Sequence, residues 1–405
     1  MRSVRRAALV LLACLTPLLA AGCGEKRGAC DSAQPLGSVC GFENPEDVAF
    51  APRANLVVSS QFRILGKGGW LTGLVPGASA PRRLWPDAGA PDAGVASGRT
   101  ADPDAPGDPA CPPPDPALFH PHGLFVDARD DLWVVNHGGR DSVEAFAIRG
   151  SGDDATLAWR GCVVLPAGTS GNDVAVGPDR DVIVSNYASS VGSLADNVKI
   201  GLGWNTGDVL RWRRDAGWSH VPNTAASAPN GVALSPDGRT LFYAETGAAR
   251  LVRIGLDGTG RTEVPVPGAP DNLSWTTRGT LYLASHTSTA AFLACLLGPA
   301  CRSSWVLLEI DPASLRVDSV LAHDGAVVGA VASAQQVGDL VYLGAVFGDR
   351  IGVWRGREGG AGAVWSSLAG LTGGRVLADR AFAAQSMRNG SAPAAASLIP
   401  GARQS

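Results

Sequence analysis

The chain has 405 residues, a formal net charge of −3 at pH 7, and a composition rich in glycine (52 residues) and proline (28 residues). This mildly acidic balance argues against nucleic acid as a partner. The apolar runs are short, β-branched and alternating with polar residues, which is typical of strands.

The first 22 residues have the features of a secretion signal. Three positive charges in MRSVRR precede the apolar run AALVLLACLTPLLA, which is too short to be a permanent membrane span. Three small residues, Ala20 to Gly22, precede Cys23, and this pattern resembles the bacterial lipobox, where the signal is cut and the cysteine is lipidated. We therefore expect an exported protein that Cys23 anchors to a bacterial membrane, on its periplasmic or cell-surface face; ordinary secretion is the alternative. Removal of residues 1–22 takes away three arginines and no acid, which makes the net charge −6.

Six copies of one pattern follow along the chain. Each copy begins with a polar or small pair, continues into an alternating apolar strand, and passes through a turn into a second strand. Repeats of this length, built from several short strands, are typical of propeller blades arranged around a central channel. We therefore predict an all-β, six-bladed β-propeller over residues 41–356. The copies begin at Glu46, His122, Asn172, Asn230, Asp271 and Gly329.

Three segments fall outside these repeats. Residues 23–40 are predicted to be a tether between the lipidated cysteine and the propeller. Residues 79–117 are rich in Pro, Asp, Ala and Gly and show no strand signal, which predicts a surface insertion and explains the long first repeat interval. Residues 357–405 turn to Gly and Ala with little periodicity, which predicts a loosely ordered C-terminal tail.

Residues at the same place in successive blades form a ring about the propeller axis, and here that ring is polar. An oxygen-rich cluster of acids and amides, with no cysteine and one histidine, suits calcium better than zinc. Asn and Asp also make turns, and for any single member a turn role is the better interpretation. Recurrence of the feature in four repeats favours a metal site instead. The second members of the six pairs are Asp47, Gly123, Asp173, Gly231, Asn272 and Ala330.

Most of residues 40–355 resembles the serum paraoxonase and arylesterase family. The stretch HPHGLFVDARDDLWVVNHGGRDSVEAFAI is similar to a family segment with PHG, VNH and a VE-x-F strand, and GNDVAVGP, APNGVALSPDG and APDNLSW follow in the family's order. The resemblance implies a calcium-dependent hydrolase of carboxylic esters and lactones that holds two ions. A catalytic ion would be bound by Glu46, Asn172, Asn230, Asp271 and Asn272. A structural ion, deeper in the channel, would be bound by Asp47, Asp173 and the backbone carbonyl of Leu124.

Two histidines match the family's histidine dyad. His122 and His137 bracket one strand-turn-strand unit, so both can face the channel mouth, and imidazole titrates near neutral pH as a general base should. The resemblance implies that one ring takes a proton from water or substrate while the other orients it, and that calcium stabilises the oxyanion. His286 matches a further family histidine and is a secondary candidate, with a surface position as the alternative. A structural role is expected for His120, His220 and His323.

Export would allow disulfides among the six cysteines that remain once Cys14 and Cys23 are set aside. Proximity predicts a bond between Cys295 and Cys301; the other pairings stay open. A cysteine-ligated zinc site is the competing interpretation, but the chain has no C-x-x-C pair. The family joins its first and last blades by a disulfide, whereas no cysteine lies near Trp354, so ring closure is expected to rest on strand pairing and packing.

Two other functions stay open. A sugar lactonase of the gluconolactonase kind shares the six-bladed architecture and a divalent ion but not the PHG and VNH histidines. A non-catalytic propeller at the cell surface would use the polar ring only to lock its blades around a structural ion. The segment SVGSLADNVKIGLGWNTGDVLRW lies where the family has a helix that walls its active site, but only GLGW is similar. The expected partner is therefore a small ester or lactone whose identity the sequence does not fix.

Overall fold

Short antiparallel strands make up almost all of the regular structure. The computed structural model describes residue 30 and residues 35–64, 66, 68–86, 105–190, 192–298 and 301–356. Within these residues, strands β1 to β24 pair into six four-stranded antiparallel sheets. The six-bladed β-propeller predicted from the repeats is therefore confirmed.

Each blade is built outwards from an innermost strand. The innermost strands are β2 (Pro45–Ala51), β6 (Pro121–Val126), β10 (Ser170–Val176), β14 (Pro229–Leu234), β18 (Ala269–Trp275) and β22 (Val331–Val337). The second strands are β3 (Leu56–Gln61), β7 (Asp131–Asn136), β11 (Val182–Ala188), β15 (Thr240–Glu245), β19 (Leu281–His286) and β23 (Leu340–Ala345). Innermost strands of successive blades contact one another, and β22 contacts β2, so the six form a closed ring.

The outer half of each blade is more exposed. The third strands are β4 (Trp70–Leu74), β8 (Ser142–Arg149), β12 (Asp208–Arg213), β16 (Arg250–Gly255), β20 (Trp305–Ile310) and β24 (Arg350–Arg355). The fourth strands are β5 (Arg82–Trp85), β9 (Thr156–Val164), β13 (Gly217–His220), β17 (Thr262–Pro265), β21 (Val317–His323) and β1 (Leu36–Cys40).

The hydrophobic core is divided among the gaps between neighbouring blades. In β7, Leu132 and Val134 belong to the core between blades 1 and 2, whereas Trp133 and Val135 belong to the core between blades 2 and 3. Successive strand residues point to opposite faces, so the run DLWVVN serves two cores at once. All four side chains are fully buried, and each such burial contributes about 1.5–3 kcal/mol. Packing between blades therefore holds the ring rigid around its axis.

The ring closes through the N-terminal strand. Strand β1 pairs with β24, from Leu36 opposite Trp354 to Cys40 opposite Arg350. The propeller therefore begins earlier than the predicted boundary at residue 41, and the end of the predicted tether is a strand. Closure rests on strand pairing, as expected, while Cys40 forms a disulfide with Cys30.

The predicted insertion contains a strand that the sequence did not indicate. Residues Arg82–Trp85 form β5, which pairs with β4, so this part of the predicted insertion belongs to blade 1. The tetrapeptide RRLW has two adjacent charges and two adjacent apolar residues, so it lacks the alternation that marks a strand. Residues 105–117 contain no strand. A disulfide between Cys111 and Cys162 ties this stretch to β9.

Two short α-helices follow second strands. Helix α1 (Leu194–Gly201) comes after β11, and helix α2 (Thr289–Ala294) comes after β19. Serines cap both helices, because their side chains accept the backbone N–H three residues on. Single 3₁₀ turns occur at Gly152–Asp154, Thr246–Ala248 and Cys295–Leu297.

Several predictions concern parts of the chain that the structure does not describe. The signal at residues 1–22, the lipidation site Cys23 and the tail at 357–405 all lie outside the described residues. Among the described helices, none is long and apolar enough to cross a membrane. The predicted disulfide between Cys295 and Cys301 is present, directly after α2.

Candidate active site

The polar ring lies at register breaks in the innermost strands. In blade 2, Pro121 pairs with Asn136 and Leu124 pairs with Val134, which leaves His122 and its neighbour outside the ladder. Breaks of the same form occur in four other innermost strands. Such bulges re-aim side chains and are common at functional sites. The bulged pairs are 46–47, 122–123, 172–173, 230–231 and 271–272.

The sixth blade departs from the predicted ring. Its register break lies between Val331 and Ser333 and leaves out only Ala332. The ring position of this blade is therefore Ala332, and the prediction of Gly329 and Ala330 was wrong. A one-residue break with an apolar side chain carries none of the polar signal that aligned the other five copies.

Buried oxygen atoms without hydrogen-bond partners occur at the residues predicted to bind the catalytic ion. The Nδ2 of Asn272 donates to Oε1 of Glu46 at 2.9 Å, which joins blades 5 and 1. Four buried oxygens here have no hydrogen-bond partner: Oε2 of Glu46 and the Oδ1 atoms of Asn172, Asn230 and Asn272. Each unpaired buried group costs about 1–3 kcal/mol. A hard cation bound by these oxygens would relieve that cost, because carboxylate and amide oxygens are the ligands it prefers.

The donor set depends on asparagine. In the described part of the chain, no three His, Cys, Asp or Glu side chains are grouped as metal ligands. The catalytic ion would therefore also need the amide oxygens of Asn172, Asn230 and Asn272. This composition favours calcium over a metal that prefers nitrogen or sulfur.

Carboxyl groups are concentrated on the axis. Burial, together with the nearby Asp271, Asp47 and Asp173, raises the pKa of Glu46 well above its ordinary value. Burial raises the pKa of Asp47 to about 7, and burial with the neighbouring Asp47 raises the pKa of Asp173. Each shift reflects carboxylates held out of water close to one another. A cation on the axis would offset this repulsion.

Asp47 and Asp173 also join blades. Asp47 accepts the backbone N–H of Val48 in its own strand and that of Leu124 in the next blade, at 2.8 and 2.6 Å. Asp173 does the same with Val174 and Val232, at 2.7 and 2.8 Å. The three residues predicted to bind the structural ion, Asp47, Asp173 and Leu124, are all buried. Leu124 contacts Asp47 through its backbone N–H, whereas the prediction concerned its carbonyl.

Gly123 permits this close approach of the blades. A Cβ at this position would collide with the carbonyl oxygen of Asn172 and the Cα of Asp173. Only glycine fits beside the bulge of the next strand. The glycine of the PHG motif is therefore explained by packing at the axis.

The two predicted histidines are in direct contact. Nδ1 of His122 lies 3.0 Å from Nε2 of His137. The opposite nitrogen of His122, Nε2, lies 3.7 Å from Oε2 of Glu46, one of the unpaired oxygens. Burial, with His137 and His120 nearby, lowers the pKa of His122 well below its ordinary value. The lowered pKa favours the neutral ring, which has one unprotonated nitrogen, beside the candidate cation site.

Phe62 fixes the orientation of His122. Its ring stacks on His122 with centroids 3.9 Å apart and planes 7° apart, and on His120 at 4.8 Å and 20°. Phe62 lies just beyond β3 of blade 1 and is 3% exposed. His120 accepts the backbone N–H of Arg63 at 3.2 Å, as the predicted structural role requires.

His286 lies at the ring. Its Nε2 is 2.8 Å from Oδ2 of Asp271, its Nδ1 has no partner, and its side chain is buried. The surface alternative for this residue is therefore wrong. Phe292 packs against the His286 ring at 4.6 Å and against Phe347 at 5.3 Å. Ile64, Phe292 and Phe347 form an apolar wall that packs on a cluster of buried residues, and this cluster includes Ala332 at the ring position of blade 6.

One segment of the chain matches a known family model. Residues 162–286 match the SMP-30/Gluconolactonase/LRE-like region. The match covers less than half of the chain; it includes four of the five predicted ligands of the catalytic ion, but neither Glu46 nor the histidine pair. This segment is thus similar to lactonase-type propellers, and the narrower resemblance to paraoxonases stays a prediction.

Two curated proteins are similar over short stretches. Strictosidine synthase-like 13 of Arabidopsis thaliana is 35% identical over 86 residues, which is 20% of this chain and 21% of that protein. The adipocyte plasma membrane-associated protein Hemomucin of Drosophila melanogaster is 34% identical over 108 residues, which is 25% of this chain and 18% of that protein. The matched stretches thus span about a fifth of each relative.

A solved structure shows the same architecture. A candidate gluconolactonase superposes with a TM-score of 0.50 at 16% identity, over 81% of this chain and 96% of that chain. At this identity, the likeness supports the propeller fold.

Sequence reasoning missed three residues that complete the site. Phe62 stacks on His122, Asp141 lies 2.7 Å from Nδ1 of His137, and Ser333 donates to the carbonyl oxygen of Glu46 at 2.9 Å. Asp141 had a usable signal, because the acid follows a strand-end histidine within the short glycine loop HGGRD. Phe62 and Ser333 act across blade boundaries, and no local pattern marks such contacts.

Proposed function

We propose that this protein is a calcium-dependent hydrolase of lactones and carboxylic esters. The observation that carries the proposal is the position of His122. One ring nitrogen touches His137, and the other faces Glu46 Oε2 at the edge of the unpaired oxygens. A neutral base beside a candidate cation site is the arrangement that hydrolysis of an activated carbonyl requires.

Calcium would be held by oxygens from four blades. The predicted ligands of the catalytic ion are Glu46, Asn172, Asn230, Asp271 and Asn272. Its bound charge would polarise the substrate carbonyl and stabilise the negative charge that develops on the carbonyl oxygen. The unpaired oxygens of four of these residues support the assignment.

A second ion is proposed at Asp47 and Asp173, with the carbonyl of Leu124. The carboxylates are buried close to each other. Each carboxylate oxygen that accepts one backbone N–H keeps a further lone pair for a cation. The role of this ion would be structural, because its ligands also join neighbouring blades.

The protein's own groups would move the protons. As a water molecule attacks the carbonyl carbon, Nε2 of His122 takes its proton, and the acyl C–O bond of the ester then breaks. His122 returns the proton to the departing alkoxide oxygen. A lactone and water thus give one hydroxy acid, with no other reactant. Phe62 and His137 hold the His122 ring in place throughout.

The side chains around the candidate active site favour substrates with apolar groups. Phe292 packs against His286, and Ile64, Phe292 and Phe347 pack on the cluster that contains Ala332. Aromatic and aliphatic side chains bind alkyl or aryl portions of a substrate better than the hydroxyls of a sugar. This supports acyl lactones and aryl esters as the substrate class.

A sugar lactonase is the second candidate. The match of residues 162–286 to a model that names gluconolactonase favours it. A sugar lactonase would prefer polyhydroxylated lactones to acyl lactones and aryl esters. Such substrates would need polar side chains at the position of the apolar wall. Activity on an aldonolactone with none on phenyl acetate or acyl lactones would select this function.

One panel of assays tests the proposal. Wild type and His122→Gln are assayed on an acyl lactone, phenyl acetate and gluconolactone, with calcium, with chelator, and after calcium is restored. We expect hydrolysis of the first two substrates by wild type, loss on chelation, recovery on re-addition, and a fall of roughly 100-fold or more in His122→Gln. Absence of hydrolysis with calcium bound would refute the proposal and favour a non-catalytic propeller.

We also propose that the protein is exported and lipid-anchored through Cys23. The support is the charged and apolar leader followed by small residues before the cysteine. Palmitate labelling in a bacterial host should be present in wild type and absent in Cys23→Ala. Equal labelling of the two proteins would contradict the anchor.

A further inference from the structure

The loop between β7 and β8 places a carboxylate behind His137. This loop runs from His137 to Asp141, and Oδ1 of Asp141 lies 2.7 Å from Nδ1 of His137. The His137 side chain is 5% exposed and that of Asp141 is 38% exposed. Asp141, His137 and His122 therefore form a continuous chain of contacts that ends beside Glu46.

The loop is held firmly by the strand that precedes it. The side chain of Asn136 donates to the carbonyl oxygens of Gly138 and Arg140 at 3.1 and 3.3 Å, and accepts the N–H of Gly138 at 3.0 Å. The carbonyl of Asp141 accepts the N–H of Leu165 at 2.9 Å. The position of Asp141 is thus set by main-chain contacts rather than by its own attraction to His137.

Gly138 lets a second segment pack on this loop. A Cβ at this position would collide with the carbonyl oxygen of Leu118. The same segment supplies the N–H of His120, which donates to Oδ1 of Asn136 at 2.9 Å. The loop therefore has support on both sides, as a positioning element requires.

The contacts from Asp141 to His122 are consistent with one order of hydrogen-bond donors and acceptors. A carboxylate oxygen of Asp141 accepts from Nδ1 of His137, so when the His137 ring carries a single proton that proton lies on Nδ1. Nε2 of His137 is then bare and accepts, so the proton of His122 must lie on its Nδ1. This leaves Nε2 of His122 bare, on the side of Glu46. That is the nitrogen that must be free for His122 to act as a base.

We propose that Asp141 is a positioning residue that sets the protonation of both histidines, so that His122 presents an unprotonated Nε2 to the reaction site. The inference deepens the proposed hydrolase function and rests on it. Without Asp141, His137 could carry its proton on Nε2 and donate to His122 Nδ1. His122 would then carry its own proton on Nε2 and could not accept another.

The test combines kinetics with a direct reading of the His137 ring. Asp141→Leu removes the acceptor while keeping a similar shape, and Asp141→Glu retains a carboxylate. Two-bond proton–nitrogen correlation spectra of the full chain labelled with ¹⁵N-histidine show which nitrogen carries the proton, and His137→Gln assigns the signal. The matched control is Asp324→Leu, which removes an exposed carboxylate beside His323 at the end of the outermost strand of blade 5.

We expect wild-type His137 to be protonated on Nδ1 and Asp141→Leu to lose this preference. In that variant kcat should fall roughly 10- to 100-fold with little change in KM, and Asp141→Glu should recover part of the loss. Asp324→Leu should keep wild-type kcat. If Asp141→Leu does not fold, Asp141→Asn is assayed instead; its amide can donate as well as accept, so it no longer restricts the proton to Nδ1, and kcat is expected to fall in the same direction.

Two results would overturn the inference: wild-type His137 protonated on Nε2, or an Asp141→Leu variant with unchanged ring protonation and kcat within about twofold of wild type. Failure of the hydrolase proposal is recognised separately, because wild type would then hydrolyse no lactone or ester. The spectra alone would still show whether Asp141 sets the His137 proton.

Discussion

Replacement of Phe62 by alanine should damage both stability and catalysis. Phe62 is 3% exposed and stacks on two histidines of the neighbouring blade, His122 and His120. Removal of a buried phenylalanine costs about 3–5 kcal/mol. Of this, each lost ring contact accounts for about 0.5–1.5 kcal/mol. Because Phe62 is the flat surface against which His122 rests, we also expect kcat to fall roughly tenfold.

The comparison that isolates the catalytic effect is Phe242→Ala. Phe242 is 2% exposed and packs edge-on against Trp275 in the core between blades 4 and 5. This variant should lose a similar free energy of unfolding, measured by urea denaturation and tryptophan fluorescence, but keep wild-type kcat on the same substrate. Equal kcat values for the two variants would refute the role of Phe62 in holding His122.

Three further changes test the supports of the site. Gly138→Ala should lower the free energy of unfolding by about 1–3 kcal/mol, because the added Cβ collides with the Leu118 carbonyl oxygen. The control Gly298→Ala adds its Cβ in open space and should leave the free energy of unfolding unchanged. Equal urea midpoints for the two variants would contradict the close packing of Leu118 on Gly138. Joint replacement of Cys111 and Cys162 by serine should cost about 4 kcal/mol, since the bond closes a loop with sequence separation 51; an unchanged midpoint under oxidising conditions would contradict this. Burial lowers the pKa of His120 from 6.5 to about 4, so between these pH values the unfolded chain binds a proton that the folded chain does not, and stability falls as pH falls. His120→Gln should flatten that part of the pH profile of urea midpoints, and parallel profiles would be inconsistent with a buried neutral His120.

The repeated strands could be predicted because their alternation reflects a local cause. In runs such as DLWVVN, successive residues fill cores on opposite faces of one blade, so the pattern persists in every copy. Strand β1 (LGSVC) lies outside the six repeats. Its partner β24 is at the other end of the propeller sequence, so no neighbouring segment indicates the pairing. Strand β5 was missed because RRLW is too short to show alternation.

The site was predicted as far as residues repeat or match a motif. Glu46, Asn172 and Asn230 were found because they open equivalent repeats, in blades 1, 3 and 4. Ala332 was missed because its blade has a shorter bulge and no polar side chain there. Phe62 was missed because its contact crosses from one blade to the next, and such contacts depend on geometry that a single repeat does not contain.

The central claim is that the oxygens on the propeller axis bind calcium, and calorimetric titration tests it most directly. Protein stripped with chelator is titrated with calcium as wild type, as Asn230→Ala, and as the control Asn197→Ala on the exposed surface of α1. We predict saturable binding to wild type and control, and an affinity roughly tenfold or more weaker in Asn230→Ala, equivalent to about 1.4 kcal/mol or more. Absence of calcium binding to wild type, or equal affinity in Asn230→Ala, would contradict the account.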